Sequence, residues 1–400
     1  MNRGLCDYNV EGSTATDYLT LITKGYFLKM VSPITNCWDP EKQISKLEIE
    51  RVRIYSPETE WTYSHHASIT RFKEKFYAIW SNGRVDEDAP GQRVLMSTSE
   101  DFSSWSDPYP LIDVLPGEHS ELVLTAAGFH EYKGTLTVYF GQYEYKPCMF
   151  ESGETLSSSK GHMNTSLRAV TTEDGEAWSA FREMDIQIVP NHGPQTVLDG
   201  RLIVSGNTAF PYTDDPSGLT GWNMTGIYPS DYSGPDDSES FWEIQEMRGW
   251  PVGLCEGSFY MTDDGVLHML LRSNTDRLWV TESMDNGVTW SDPEKTGFTD
   301  NVSKFHFGRL PDGRFYYVGC PDPLTRGKRN PLVLSLSRDG IIFDNHFIIA
   351  DEPYEKRMAG MHKGGVYGYP HTMIYDSLLY VIVSLGKESV CVMRTDISAL

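Results

Sequence analysis

Histidine is scarce in this chain, 11 in 400 residues, yet it recurs at one kind of place. His65 and His66, His119, His192, His306 and His371 each stand at or near the head of a short strand–turn–strand phrase, and Cys255 holds the same place in a further copy. Imidazoles gathered in this way suit two kinds of chemistry, proton transfer near neutral pH and metal ligation. For metal, Cys255, His306 and His371 come from three successive copies and would suit a closed structural zinc in an axial channel. For proton transfer, His119 is followed by Tyr143 in Gly-Gln-Tyr-Glu-Tyr and then by Arg168, with Arg272 ending a later hairpin and Arg309 close to His306. An arginine that ends an apolar strand is costly unless it pairs, and a carboxylate is its natural ligand. His119, Tyr143 and His66 are therefore the expected catalytic residues, and Arg168, Arg272, Asn82, His192 and Arg309 the expected substrate contacts. The bland alternatives are polar side chains satisfied inside a channel, and salt bridges to some of the 56 acidic residues.

The elements that must position these residues form a repeat. The phrases start at Ser64, His119, His192, Cys255, His306 and His371, each a hairpin closed by turn chemistry such as Pro-Asp-Gly or Asp-Asp-Gly. A second motif follows most hairpins. Ser283-Met-Asp-Asn-Gly-Val-Thr-Trp290 is a full Asp-box, and Ser99–Trp105, Thr172–Trp178 and Ser337–Phe343 are shorter variants. In such a box the Asp accepts backbone N–H bonds across a tight turn and the aromatic packs back on the sheet, a structural role rather than a chemical one. Repeats of about 50 to 75 residues fit four-stranded blades. The expected fold is an all-β propeller forming a single domain over residues 1–400. Six blades can be counted, and residues 1–60, with DYLTLITKGYFLKMV and LEIERVRIY, supply ring-closing strands or a seventh blade. The stretch from Pro211 to Asp237 reads as a long loop.

Composition narrows the partners. A net charge of −22 repels nucleic-acid phosphates and anionic membranes, so neither is expected as a partner. The 22 Tyr and 10 Trp fit both strands and a carbohydrate site. Six scattered cysteines without a CxxC read as reduced and mostly buried, and the absence of an apolar leader points to a cytoplasmic protein. Neither GxGxxG nor GxxxxGK[ST] occurs, and no cofactor is required for the chemistry expected.

Asp-boxes on a propeller resemble the sialidase superfamily across most of the chain. Within it, SPETEWTYSHHASI, WSNGRVDEDAPGQR and YGYPHTMIYDSLLYVIVSLGKE are similar to the propeller polysaccharide lyases that act on rhamnose–glucuronic acid linkages, the ulvan-lyase and rhamnosyl-glucuronate-lyase group. That resemblance implies seven blades, a uronate-containing oligosaccharide or polysaccharide as substrate, a His/Tyr acid–base set, and arginines that neutralise the carboxylate. On this chain it falls on His119, Tyr143 and Arg168, with Arg272 as a further contact. Sialidases proper resemble one another through Arg-Ile-Pro, an arginine triad and a Tyr/Glu nucleophile pair, and the nearest string here is Arg53-Ile-Tyr. The expected activity is a lyase cleaving by β-elimination. The alternatives are an exo-glycosidase of sialidase or α-L-rhamnosidase type, and a glycan-binding propeller without catalysis.

Overall fold

The computed structural model describes residues 32–151, 161–228, 249–250, 253–398 and 400. Two short strands come first, β1 (Ser45–Lys46) and β2 (Glu50–Tyr55). The first sheet contains β3 (Tyr63–Phe72), β4 (Lys75–Gly83), β5 (Arg93–Ser99) and β6 (Tyr109–Ile112). The second contains β7 (Val123–Tyr132), β8 (Thr135–Tyr145), β9 (His162–Thr172) and β10 (Arg182–Glu183), and the third β11 (Gln195–Thr196), β12 (Leu202–Ile203) and β13 (Tyr212–Thr213). The fourth runs β14 (Cys255–Met261), β15 (Leu267–Arg272), β16 (Arg277–Ser283) and β17 (Glu294–Thr299). The fifth holds β18 (His306–Arg309), β19 (Phe315–Gly319), β20 (Leu332–Ser337) and β21 (Phe343–Ala350), and the sixth β22 (Tyr367–Tyr375), β23 (Leu378–Leu385) and β24 (Ser389–Asp396).

Each sheet buries both faces against its neighbours, which is why the strands read as nearly continuous apolar runs. Ile79, Met96 and Tyr77 pack on Leu124, Val138 and Phe140 between the first two sheets. Tyr139 and Leu167 meet Ile188 and Val204, Phe210 meets Phe259 and Met269, and Leu270 and Phe298 meet Phe307 and Tyr317. Leu334 and Val318 then pack on Val381 and Val383, and the ring closes where Ile382 and Val392 meet Trp80 and Ala78. Burying one such side chain stabilises the fold by about 1.5–3 kcal/mol.

The described residues thus form six sheets, and the strands from residues 45–55 add to the outside of two of them instead of building a seventh. β2 pairs antiparallel with β24, and β1 lies parallel to β21. An outer edge needs only one strand's hydrogen bonds, which two short segments can supply. The apolar run before residue 32 lies outside the described residues. Part of the stretch expected to be a loop after Pro211 is strand β13, which Asn223 also bridges. Of the described cysteines Cys320 and Cys391 are buried and Cys148 is exposed.

All four Asp-boxes sit between the third and fourth strands of their sheets. The carboxylates of Asp101, Asp174 and Asp339 each accept two backbone N–H bonds from the turn, at 2.7–2.9 Å, and Asp285 takes the N–H and hydroxyl of Thr289. Solvent screens these exposed carboxylates, so each bond is worth less than a buried charged one. Asp339→Ala should therefore lower the unfolding free energy by about 1 kcal/mol while leaving turnover per folded molecule unchanged, which paired denaturation and activity measurements check.

Candidate active site

A strand sends successive side chains to opposite faces, so a run of axial residues requires a break in the alternation. Three inner strands supply it with the same irregularity. His66 and Ala67 stand opposite the single residue Trp80, Glu256 and Gly257 opposite Leu271, and Tyr369 and Pro370 opposite Val383. These are β-bulges, two residues facing one. The first residue of each pair has a left-handed backbone, φ 53° at His66, 50° at Glu256 and 52° at Tyr369. A non-glycine residue held there costs about 1–3 kcal/mol and persists only where its surroundings over-determine it.

The three bulges converge on one phenol. The Tyr369 hydroxyl donates a short hydrogen bond to Glu256 and accepts one from Arg272 Nη1 at 3.0 Å, while the same Nη1 bonds Glu256. Lys304 Nζ and the Arg329 guanidinium each lie 5.1 Å from the Tyr369 ring, and Lys387 Nζ lies 5.9 Å from it. His65 packs on the ring at 3.9 Å and His66 at 5.3 Å. Glu87 pairs with Lys387, accepts from the Tyr63 hydroxyl at 3.2 Å, and stands 3.7 Å from Nε2 of both histidines. Ser81 Oγ accepts the Ala126 N–H and lies 3.2 Å from His66 Nδ1, a hydrogen bond whose donor depends on the His66 tautomer.

Four cations therefore surround two carboxylates inside a strongly acidic chain. Burial works to raise the Glu87 carboxyl, but Lys387 and His66 outweigh it and hold it at about 2. Glu256 is likewise lowered, burial being overcome by Arg272 and the Tyr369 hydroxyl. The Tyr369 phenol is pushed well up by burial and then by Glu256, so the shared proton rests on the tyrosine. Burial brings Lys304 down to about 8 against the pull of Glu256, and brings His66 down to about 3 despite Glu87. Arg329 is 7% exposed, has no ion pair among the described residues, and its Nη1 is buried without a hydrogen-bond partner. A buried guanidinium without a direct ion pair is costly.

Of the expected site residues, His66 and Arg272 are brought together at Tyr369. The constellation of His119, Tyr143, Arg168 and Arg272 is not assembled. His119 is on a turn beside Glu118, 34% exposed, with its backbone N–H on Glu144. Tyr143 is buried with its ring stacked on His162 at 4.0 Å. Arg168 lies on β9, the third strand from the axis, paired with Glu183 at 3.1 Å and over Phe181. Asn82 ties β4 to Tyr63 and Tyr55 and accepts from Arg93, and Arg309 pairs with Asp263 near a hairpin turn. Arg53 is exposed on the outer strand β2 and stands away from the phenol.

The metal expectation changes in membership and in chemistry. His306 and His371 are joined by His192, with one ring nitrogen of each within 4.8 Å of the others, and Cys255 stands instead across β14–β15 from Arg272. Burial pushes the Cys255 thiol up to about 12, against the pull of Arg272. His192 donates from Nε2 to the Phe305 carbonyl, leaving a buried Nδ1 that suits a ligand. The other two rings do not fit. His306 Nδ1 accepts the Thr372 N–H at 3.2 Å and His371 Nδ1 accepts the Ile69 N–H at 3.3 Å. In the neutral ring the proton then sits on Nε2, and neither nitrogen offers a lone pair to a cation.

Sequence reasoning passed over Tyr369, Glu256, Glu87, Arg329, Lys304 and Lys387. A signal existed in His66-Ala-Ser, Glu256-Gly-Ser and Tyr369-Pro-His, where a residue of the axial cluster precedes a small or cyclic one at the head of an inner strand.

Six sheets closed around a polar axis, with Asp-boxes on the outer turns, define a sialidase-like β-propeller. The chain belongs to the BNR repeat-like domain family, which it matches over residues 74–381. No curated protein sequence matches it significantly. Among solved structures it is similar to a protein of unknown function from Dyadobacter fermentans, with a TM-score of 0.58, 14% identity, and coverage of 87% of this chain and 99% of the other. It is also similar to Trypanosoma rangeli sialidase in complex with sialic acid, with a TM-score of 0.60, 14% identity, and 88% of this chain matching 60% of that one. The NanB sialidase from Streptococcus pneumoniae gives a TM-score of 0.59 at 12% identity, over 87% of this chain and 70% of the other.

Because two rings of the axial trio present N–H groups, treating the purified protein with a strong chelator should leave its melting temperature unchanged. Loss of stability together with release of stoichiometric zinc would overturn that reading.

Proposed function

We propose that this protein is an exo-glycosidase of the sialidase type, removing a terminal carboxylated sugar with Tyr369 as nucleophile. One observation carries the reading: a phenol hydrogen-bonded to a buried carboxylate beside a guanidinium that has no anion of its own. The sialidases of similar fold support it.

The substrate carboxylate would seat against Arg329, with Arg272 and Lys304 close by, in a site where burial strengthens each charge interaction. A carboxylate nucleophile would be repelled by that anion, whereas a neutral phenol is not. Attack by Tyr369 Oη on the anomeric carbon breaks the glycosidic C–O bond, and Glu256 takes the phenol proton as the new bond forms. The leaving oxygen needs a proton, which His66 would give. Burial and the charges of Lys304 and Lys387 keep that imidazole neutral in the free site. An arriving anion offsets those charges and raises the imidazole's affinity for a proton, with Glu87 as counter-ion. Water then releases the sugar from Tyr369, giving its proton back to His66, and Glu256 returns the phenol proton. Compared with a triad of arginines, this site has two arginines together with Lys304 and Lys387.

Tyr369→Phe should reduce turnover by on the order of 10³-fold or more with the fold intact, and Glu256→Gln by about 10²–10⁴-fold. Aryl glycosides of a sialic acid and of glucuronic acid are the substrates to assay. A free reducing sugar is the expected product, and an ultraviolet-absorbing unsaturated uronate would return the reaction to β-elimination.

The Lys304 ammonium gives a pH signature. With a folded value of about 8 and an ordinary value of 10.5, it binds fewer protons folded than unfolded between those limits, so its contribution to stability rises with pH across that window. Binding of an anionic substrate should move the opposite way, KM rising above about pH 8, and Lys304→Arg should remove that limb.

A further inference from the structure

Away from the phenol, the second sheet opens a cavity of about 940 Å³ between the Pro116–Glu118 turn and residues 183–187, with Met224 and Tyr228 on its wall. Its volume is in the upper range of small-molecule sites. The floor is polar and ordered by strand register: Gln142 on β8 faces Ser166 on β9, and Arg168 follows two residues on, opposite Glu183 of β10. Glu144 is used in construction. Its carboxylate accepts the N–H groups of Glu118, His119 and Ser120 at 2.9–3.2 Å and the Asn164 amide at 2.6 Å.

What remains is a set of groups with nothing to bond. Gln142 Oε1, Ser166 Oγ and Arg168 Nε are all buried without a hydrogen-bond partner, and Gln142 and Ser166 are only 4% and 5% exposed. Leaving such groups unmade costs about 1–3 kcal/mol each, so three on residues that line one cavity point to something that satisfies them when it binds and the side chains adjust. The set holds an acceptor, a hydroxyl and a donor, and sugar hydroxyls both give and accept. Charge limits the class. Glu118, Glu144, Glu183 and Asp185 line the same space against the single cation Arg168, whose Nη2 Glu183 already holds, so a carboxylated sugar is repelled. Leu122, Met184 and Ile186 supply apolar surface for the C–H face of a sugar ring.

We propose that this cavity binds a neutral oligosaccharide through Gln142, Ser166 and Arg168. The proposal does not depend on the reading of the Tyr369 site. The test is binding of the full chain to immobilised neutral oligosaccharides of the galactose, glucose, mannose and rhamnose series, read beside Gln142→Leu, Ser166→Ala and Arg329→Met. At least one series should bind, with affinity falling tenfold or more in Gln142→Leu and Ser166→Ala and unchanged in Arg329→Met. Ser166→Ala removes a single hydroxyl and carries the test if Gln142→Leu lowers the melting temperature. Absence of binding in all four series would overturn the proposal and leave a water-filled cavity. So would binding that survives both cavity variants, or that is lost in Arg329→Met.

Discussion

The site depends on one backbone device, the left-handed bulge at the head of an inner strand. Regular alternation would place at most every second side chain on the axial side, and those positions are needed for packing between sheets. At His66, Glu256 and Tyr369 an extra residue in a positive-φ conformation turns one side chain to the axis without disturbing the apolar ladder below it. The residue after each bulge is small or cyclic, and Gly257 shows why: a Cβ there would lie 2.6 Å from the Met269 sulfur. Arg329 and Lys387 share the same backbone region, with φ 51° and 56°. The conformational cost is concentrated on residues that surround one phenol, as expected where strain serves positioning.

Around that phenol the charge balance inverts that of the chain. The outer surface is acidic and repels anions at long range, whereas the axis buries four cations against two carboxylates. The pairing is asymmetric. Glu87 pairs directly with Lys387 and Glu256 with Arg272, while among the described residues Arg329 and Lys304 have no carboxylate in ion-pair contact: both lie over Tyr369, and Lys304 bonds a backbone carbonyl. Low local dielectric makes such unpaired charge costly at rest and strongly attractive to an anion of matching shape.

Architecture was legible because it is written locally. Hairpin turns, Asp-boxes and their spacing are short-range signals, and the carboxylates of Asp101, Asp174, Asp285 and Asp339 close the turns that the motif implies. His66 and Arg272 were legible because they stand at the ends of recognisable strands. Tyr369 and Glu256 were not, although they lie within two residues of His371 and Cys255. A bulge shifts the register, and the shift decides which neighbour faces the axis. His119 misled for a related reason: it precedes β7 on a turn that Glu144 holds through backbone groups, so its side chain never enters the channel.

The closure of the ring has a temporal side. Residues 50–55 hydrogen-bond with residues 389–396, so one strand waits for a partner made much later in the chain. Until then the nascent chain carries open sheets with unpaired edges, the state most exposed to mispairing with other chains. Tyr369 and Glu256 come from the sixth and fourth sheets and meet across the axis, so their contact also waits for the later sheets. A partly synthesised or clipped chain therefore cannot bring Tyr369 and Glu256 together.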